Sequence, residues 1–212
     1  FAMRERNKLL MERRGDAAWL EALEATMAET GAAIASARLL ACDHINHTIS
    51  SSGLSFPKAN LSIHGLVEDG LKQGSAAVLV EENFKKTLHE GRGQDAAAGR
   101  ALSGTHRSRL EVIHSEKSMP AEHCSTGEQK ALLIAIVLAQ ARAGGEWHEV
   151  VPVLLLDEIS AHLDATRRLE LFEEIARLKS QVWMTGTDPL LFEGIQGKAQ
   201  FLRVENGHVT PA

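Results

Sequence analysis

Leu9, Leu10, Trp19, Leu20, Leu23, Met27, Ile34 and Leu39 recur at roughly helical spacing among arginines and glutamates, which predicts helix from Ala2 to about Ile49. Gly15-Asp16 interrupts the pattern, and Asp16 is placed to cap a second helix. The polar stretch Ser50–Pro57, punctuated by Gly53 and Pro57, reads as a loop, with a short strand near Leu61–His64. Leu66, Val67, Leu71, Val78, Leu79, Phe84 and Leu88 predict helix over Gly65–Leu88, weakened by Gly70 and Gly74. Gly91–Gly99 reads as a loop and as the boundary between two lobes, 1–99 and 100–212.

Beyond that boundary the period changes. Strands are expected at Leu110–Ile113, Val151–Leu156 and Val182–Thr185, and helices at about Gly127–Ala143 and Asp164–Lys179. Such alternation predicts an α/β lobe with a mostly parallel sheet covered on both faces, preceded by a mainly helical lobe. Asn206-Gly207 between Gln200–Val204 and His208–Val209 predicts a hairpin. The first lobe has no sustained heptad, which argues against a long coiled coil.

Composition changes this picture little. With 212 residues, 44% hydrophobic and 24% charged, the chain is ordinary for a globular protein and long enough for a substantial core. Cys42 and Cys124 lie far apart without metal-ligand spacing, so a reducing, cytoplasmic compartment is expected. No apolar run reaches the roughly 18 residues of a membrane span, and Phe1–Arg6 reads as a charged helix rather than a signal peptide. The net charge of −5 gives no global reason to expect nucleic acid. Locally, Lys85, Lys86, Arg92, Arg100, Arg107 and Arg109 face only Glu90 and Asp95. Phosphate binding by Lys85, Lys86, Arg92 and Arg100 is one reading of that excess, and a solvated face is the other.

The candidate chemistry sits at strand and helix ends. The apolar run Val150–Leu156 delivers Asp157 and Glu158 to the C-terminal end of a parallel strand, where ligands bind in such sheets. One carboxylate there can hold Mg²⁺, and the next can orient and deprotonate a water attacking a γ-phosphate. Paired acids ending a strand are the plainer alternative. Ser125-Thr126-Gly127-Glu128-Gln129-Lys130 opens a helix, where backbone N–H groups favour phosphate; Ser125-x-x-Glu128 is equally a capping box. Asp164 of Ser160-Ala161-His162-Leu163-Asp164 is a helix N-cap whatever else it does. Thr187-Asp188-Pro189 follows a strand, where a polar residue can sense a γ-phosphate or simply begin a helix at Pro189.

Taken together, Gly104-Thr105-His106-Arg107, Cys124–Lys130, Asp157-Glu158, Ser160–Asp164 and Thr187-Asp188-Pro189 resemble RecF, a family of bacterial DNA replication and repair ATPases of the ABC class related to SMC proteins. The opening Arg6-Asn7-Lys8-Leu9-Leu10 and Trp19-Leu20-Leu23-Glu24 are similar to that family's second lobe. The resemblance implies the C-terminal half of an ABC-type P-loop ATPase lobe, carrying the signature and Walker B, with a helical second lobe. Implied ligands are ATP and Mg²⁺; implied partners are single-stranded or gapped DNA, RecR, RecO and a second copy in an ATP-dependent head-to-tail dimer, without a membrane. In that arrangement the signature Ser125–Lys130 meets ATP held by the other subunit, Asp157 supports Mg²⁺ and Glu158 is the base. Ser160, His162 and Asp164 form the connecting loop, and Thr187 and Asp188 sense the γ-phosphate. Replication, recombinational repair and the SOS response are the implied setting.

The sequence departs from the family pattern at Thr105, Arg109, Cys124 and Glu128, the last an acid in the signature's Gln position, and it contains no Gly-rich phosphate loop. Two rivals follow: a transporter-type ATPase subunit, disfavoured by the preceding helical lobe and by Thr187 in place of a histidine, and a non-catalytic dimerisation or interaction module.

Overall fold

The computed structural model describes residues 1–12, 16–148, 152–159, 163–178 and 180–211. Contacts divide the chain into two compact units, Phe1–Asn46 with Asn60–Ile113, and His47–Ala59 with His114–Ala212. These bounds do not coincide with residue 99, because Arg100–Ile113 packs with the first unit and His47–Ala59 with the second.

The first unit contains α1 (Ala2–Glu12), most of α2 (Ala17–Ser51), most of β1 (Ala59–His64), α3 (Leu66–Lys72), α4 (Ala77–Glu90), α5 (Arg92–Ala98) and most of β2 (Arg109–His114). Asp16 starts α2 as expected, its Oδ1 accepting from the Ala18 N–H at 3.0 Å. Met27, Ala28, Ala32 and Ala35 of α2 pack on Val67 of α3 and on Val80, Phe84 and Leu88 of α4. The last three are spaced by four residues, hence on one helical face. Gly31 belongs to this seam, since a Cβ there would lie 2.8 Å from the Phe84 ring.

The Gly65–Leu88 region divides into two helices, with Gly74 at φ +79 between them. Gly91–Gly99 is not the loop expected. Its Ala-rich centre forms α5, which ends at Gly99 in the left-handed conformation (φ +66), a geometry glycine adopts without steric cost. Asp95 fastens this helix, taking Arg6 Nη1 at 2.7 Å and the Leu102 N–H at 2.9 Å. Arg6, fully buried on α1, also donates to Glu24 Oε1 (3.0 Å) and the Leu88 carbonyl (2.6 Å). Each of the three guanidinium nitrogens donates to an acceptor, two of them carboxylates, which is what makes its burial tolerable.

In the second unit, β3 (Met119–Pro120) precedes α6 (Thr126–His148), and β4 (Leu154–Leu156), α7 (Ala165–Leu178) and β5 (Val182–Met184) follow. β4 and β5 pair in parallel, Leu154 opposite Val182 and Leu156 opposite Met184. The α/β architecture with a parallel sheet is therefore present. Leu154 and Leu156 are buried with Ala131, Ile134, Ala135 and Leu138 of α6, Leu171 and Phe172 of α7, and Phe192. The continuous apolar run suggests cover on both faces; among the described residues, Leu155 and its register partner Trp183 are exposed, at 76% and 54%. The hairpin β6 (Leu202–Glu205) and β7 (His208–Pro211) turns through Asn206 and Gly207, both at positive φ, as a two-residue type I′ turn requires.

Candidate ATP-handling site

The signature residues sit where the sequence puts them, at the start of α6. Ser125 and Glu128 form a literal capping box. Glu128 Oε2 accepts from the Ser125 N–H (3.0 Å) and hydroxyl (2.8 Å), while the Glu128 N–H points to Ser125 Oγ at 3.4 Å. Gln129 turns backwards, its Nε2 donating to the Cys124 carbonyl at 3.0 Å. Thr126 and Gly127 are exposed, and the space a Cβ of Gly127 would fill is open. The helix end is thus both capped and accessible. Lys117, which no sequence motif singled out, forms an ion pair with Glu128. That ammonium, followed by the Ser125 hydroxyl and N–H, holds the Glu128 carboxyl down at about 2.

Asp157 and Glu158 stand exposed just beyond β4, at the C-terminal end of the parallel pair. Thr185, at the matching end of β5, joins them. Its N–H donates to the Leu156 carbonyl (3.1 Å), its hydroxyl donates to Asp157 Oδ1, and its Oγ1 accepts the Glu158 N–H (3.0 Å). Glu158 has φ +50, an uncommon conformation for a side chain of this kind and one that concentrates at functional sites. The sequence motif points to Thr187 and Asp188 for the sensing role. Thr187 is exposed, and Asp188 Oδ1 caps the following 3₁₀ turn through the Leu190 N–H at 2.9 Å. Gly186 leaves room for Phe192, whose ring would lie 2.6 Å from an added Cβ.

Asp164 caps α7, accepting the Arg167 N–H at 2.9 Å and pairing with its guanidinium at 3.6 Å. Ser160 and His162 lie outside the described residues. Among the described residues, no hydrogen bond or ion pair joins the Ser125–Glu128–Lys117 cluster to the Asp157–Glu158–Thr185 cluster, and no group of three or more His, Cys, Asp or Glu is arranged to hold a metal.

In the basic stretch, Lys85 and Arg100 are exposed and Lys86 lies 3.9 Å from Glu90. Arg92 differs. It gives its guanidinium to buried Glu24 through Nε (2.9 Å) and Nη2 (2.6 Å) and belongs to the core network of the first unit.

A parallel βαβ unit with acids at its C-terminal end and a capped, open helix N-terminus is the arrangement of a nucleotide-handling α/β domain. The family model described as "AAA domain, putative AbiEii toxin, Type IV TA system" matches residues 22–196, and the chain belongs to that family of AAA domains. Within it, the chain is similar to RecF. It is 51% identical over 215 residues to the DNA replication and repair protein RecF of Mesorhizobium japonicum, covering 99% of this chain and 56% of the relative. Identity to the RecF proteins of Brucella abortus and Rhizobium meliloti is 49% and 48% over 211 residues. The fold matches a solved structure of the recombination mediator protein RecF-ATP in the RecFOR pathway with a TM-score of 0.79 at 22% identity, over 100% of this chain and 56% of that one. The chain spans about half the length of the curated relatives it matches. The resemblance read from the signature and Walker B residues therefore extends over practically the whole chain.

Proposed function

We propose that the chain is the signature and Walker B part of a RecF-like DNA replication and repair ATPase, with a helical lobe at about 1–99 and the ATPase part at about 100–212. In this reading the intact assembly binds ATP and Mg²⁺ and hydrolyses ATP across a head-to-tail dimer on gapped or single-stranded DNA, with RecR and RecO as partners.

The observation that carries it is the convergence of Asp157, Glu158 and Thr185 at the end of the parallel pair. Thr185 occupies one oxygen of Asp157, which fixes the carboxylate and leaves the other oxygen for Mg²⁺, directly or through water. Mg²⁺, when bound, neutralises charge on the β- and γ-phosphates. The backbone of Glu158, at positive φ and held by the Thr185 contact, sets this exposed acid directly after Asp157, and its carboxylate serves to receive the proton of an attacking water. Ser125 and Gly127 offer a hydroxyl and an unobstructed backbone to the γ-phosphate bound by the other subunit. Thr187 and Asp188 follow the same strand end and serve the sensing of that phosphate.

The test is Glu158→Gln in the chain extended to the length of its relatives. Hydrolysis should fall by at least 100-fold, on the order expected for loss of a general base, while ATP binding and ATP-dependent dimerisation persist. Unchanged hydrolysis would remove Glu158 from the mechanism. The interaction-module reading keeps one observation in its favour: Ser125 and Glu128 satisfy each other as a cap without any ligand.

A further inference from the structure

We propose that Lys117 is a positioning residue of the signature turn, cancelling the charge of Glu128 so that a γ-phosphate can approach Ser125 and Gly127. The inference rests on the reading that this turn meets ATP in trans. An anionic carboxylate bonded to the very hydroxyl and N–H that should face a triphosphate would repel it. Glu128 cannot escape by taking up a proton, because its contacts hold it ionised far below neutral pH. The compensation has to come from a neighbouring cation, and Lys117 is the one paired with it.

Lys117 is delivered to that place by a fixed turn rather than by a wandering side chain. It lies in residues 115–118, between β2 and β3, where the Ser118 N–H meets the Ser115 carbonyl at 3.3 Å. The Ser115 N–H donates to the Lys58 carbonyl at 2.8 Å, and the Lys58 N–H donates to Glu116 Oε1 at 3.1 Å. His114 Nδ1 lies 2.9 Å from the other oxygen of Glu116. The turn, tied to Lys58 in this way, places Lys117 where its ammonium reaches Glu128 at the start of α6. The pair Lys117–Glu128 then has the net charge that a neutral amide at position 128 would have alone, while the carboxylate keeps its stronger grip on Ser125. Both side chains remain partly exposed, so the pair is accessible to a partner subunit.

The experiment mixes the 212-residue chain with full-length RecF of Mesorhizobium japonicum and a slowly hydrolysed ATP analogue, and reads the affinity of association by analytical ultracentrifugation. Lys117→Gln should weaken ATP-dependent association by roughly five- to tenfold at low salt, the effect of one uncompensated charge a few ångströms from a phosphate in a largely aqueous setting, and high salt should shrink the loss. Lys117→Arg should retain association. The deciding variant is the double substitution Lys117→Gln with Glu128→Gln. It should return association to within about twofold of wild type, because the net charge is again zero.

A double variant as weak as Lys117→Gln alone overturns the proposal, since Lys117 then acts independently of Glu128. An unchanged Lys117→Gln variant also overturns it. In parallel, the Glu128 carboxyl is titrated by NMR: in Lys117→Gln it should move from about 2 toward the ordinary carboxylate range, and an unmoved value overturns the pairing itself. If the wild-type chain shows no ATP-dependent association, the trans reading has failed, and the titration alone decides whether Lys117 governs Glu128.

Discussion

The hydroxyl of Thr185 donates to the carboxylate of Asp157, tying the end of β5 to the end of β4 where the two acids of the candidate site emerge. The same oxygen accepts the Glu158 N–H, so one threonine holds the Asp157 carboxylate and the Glu158 backbone together. Thr185→Val keeps the shape and removes the hydroxyl. It should cost about 1 kcal/mol of stability, the usual net worth of such bonds, whereas Thr185→Ser should cost less. Urea unfolding of the purified chain measures both. Equal stability of wild type and Thr185→Val would show that the hydroxyl fixes nothing.

The buried network of the first unit should dominate its stability. Arg6→Ala leaves Asp95 without a guanidinium and Glu24 with that of Arg92 in its place, and a loss of about 3 kcal/mol, the lower end for breaking a buried ion pair by removing one partner, is expected. A shift in the denaturation midpoint typical of a surface substitution would contradict this.

That network also has a pH signature. Burial pushes the Glu24 carboxyl up, but hydrogen bonds and charge from Arg92 and Arg6 outweigh it and hold the group below its ordinary value. A carboxyl depressed in the folded state contributes stability that is fully present above the unfolded value of about 4.3 and drains away as pH falls from there through the folded value. Denaturant titrations between pH 6 and 3 should therefore show falling stability below about pH 4.3, and Glu24→Gln should flatten part of that slope. An identical slope in the variant would contradict the assignment.

Much of this arrangement was legible in the sequence because its causes are local. The Ser125–Glu128 box, the Asp16 and Asp164 caps and the Asn206-Gly207 turn each involve residues within a few positions of one another, and each formed as the local chemistry dictates. What could not be read depends on long-range closure. Arg6 meets Glu24 and Asp95 across 18 and 89 positions, and those contacts turn the Gly91–Gly99 stretch into a docked helix. Likewise Thr185 reaches Asp157 only because β4 and β5 pair in one register, which no spacing along the chain reveals. A hydrophobic run cannot by itself say which faces of a strand are covered, so Leu155 was expected inside.

The cations of the basic stretch should separate into two kinds. If Lys85, Lys86 and Arg100 touch DNA phosphates, replacing them with Gln should weaken binding to all sequences alike and flatten the salt dependence by roughly 0.9 log units per lost contact on duplex DNA. Arg92→Gln should instead destabilise the first unit, because its guanidinium serves Glu24. Titrations of gapped DNA at several salt concentrations, alongside thermal melts, distinguish the two. An unchanged slope in the triple variant makes the stretch a solvated face.

In the proposed assembly this chain offers its signature turn to ATP held by another subunit. Association of the 212-residue chain with full-length Mesorhizobium japonicum RecF, measured with and without an ATP analogue, tests it most directly. The expected result is association that requires the nucleotide and is abolished by Ser125→Arg, in a variant whose total helix content by circular dichroism and thermal melt match the wild type. Association that ignores the nucleotide, or that survives Ser125→Arg intact, would leave the turn as a helix cap alone.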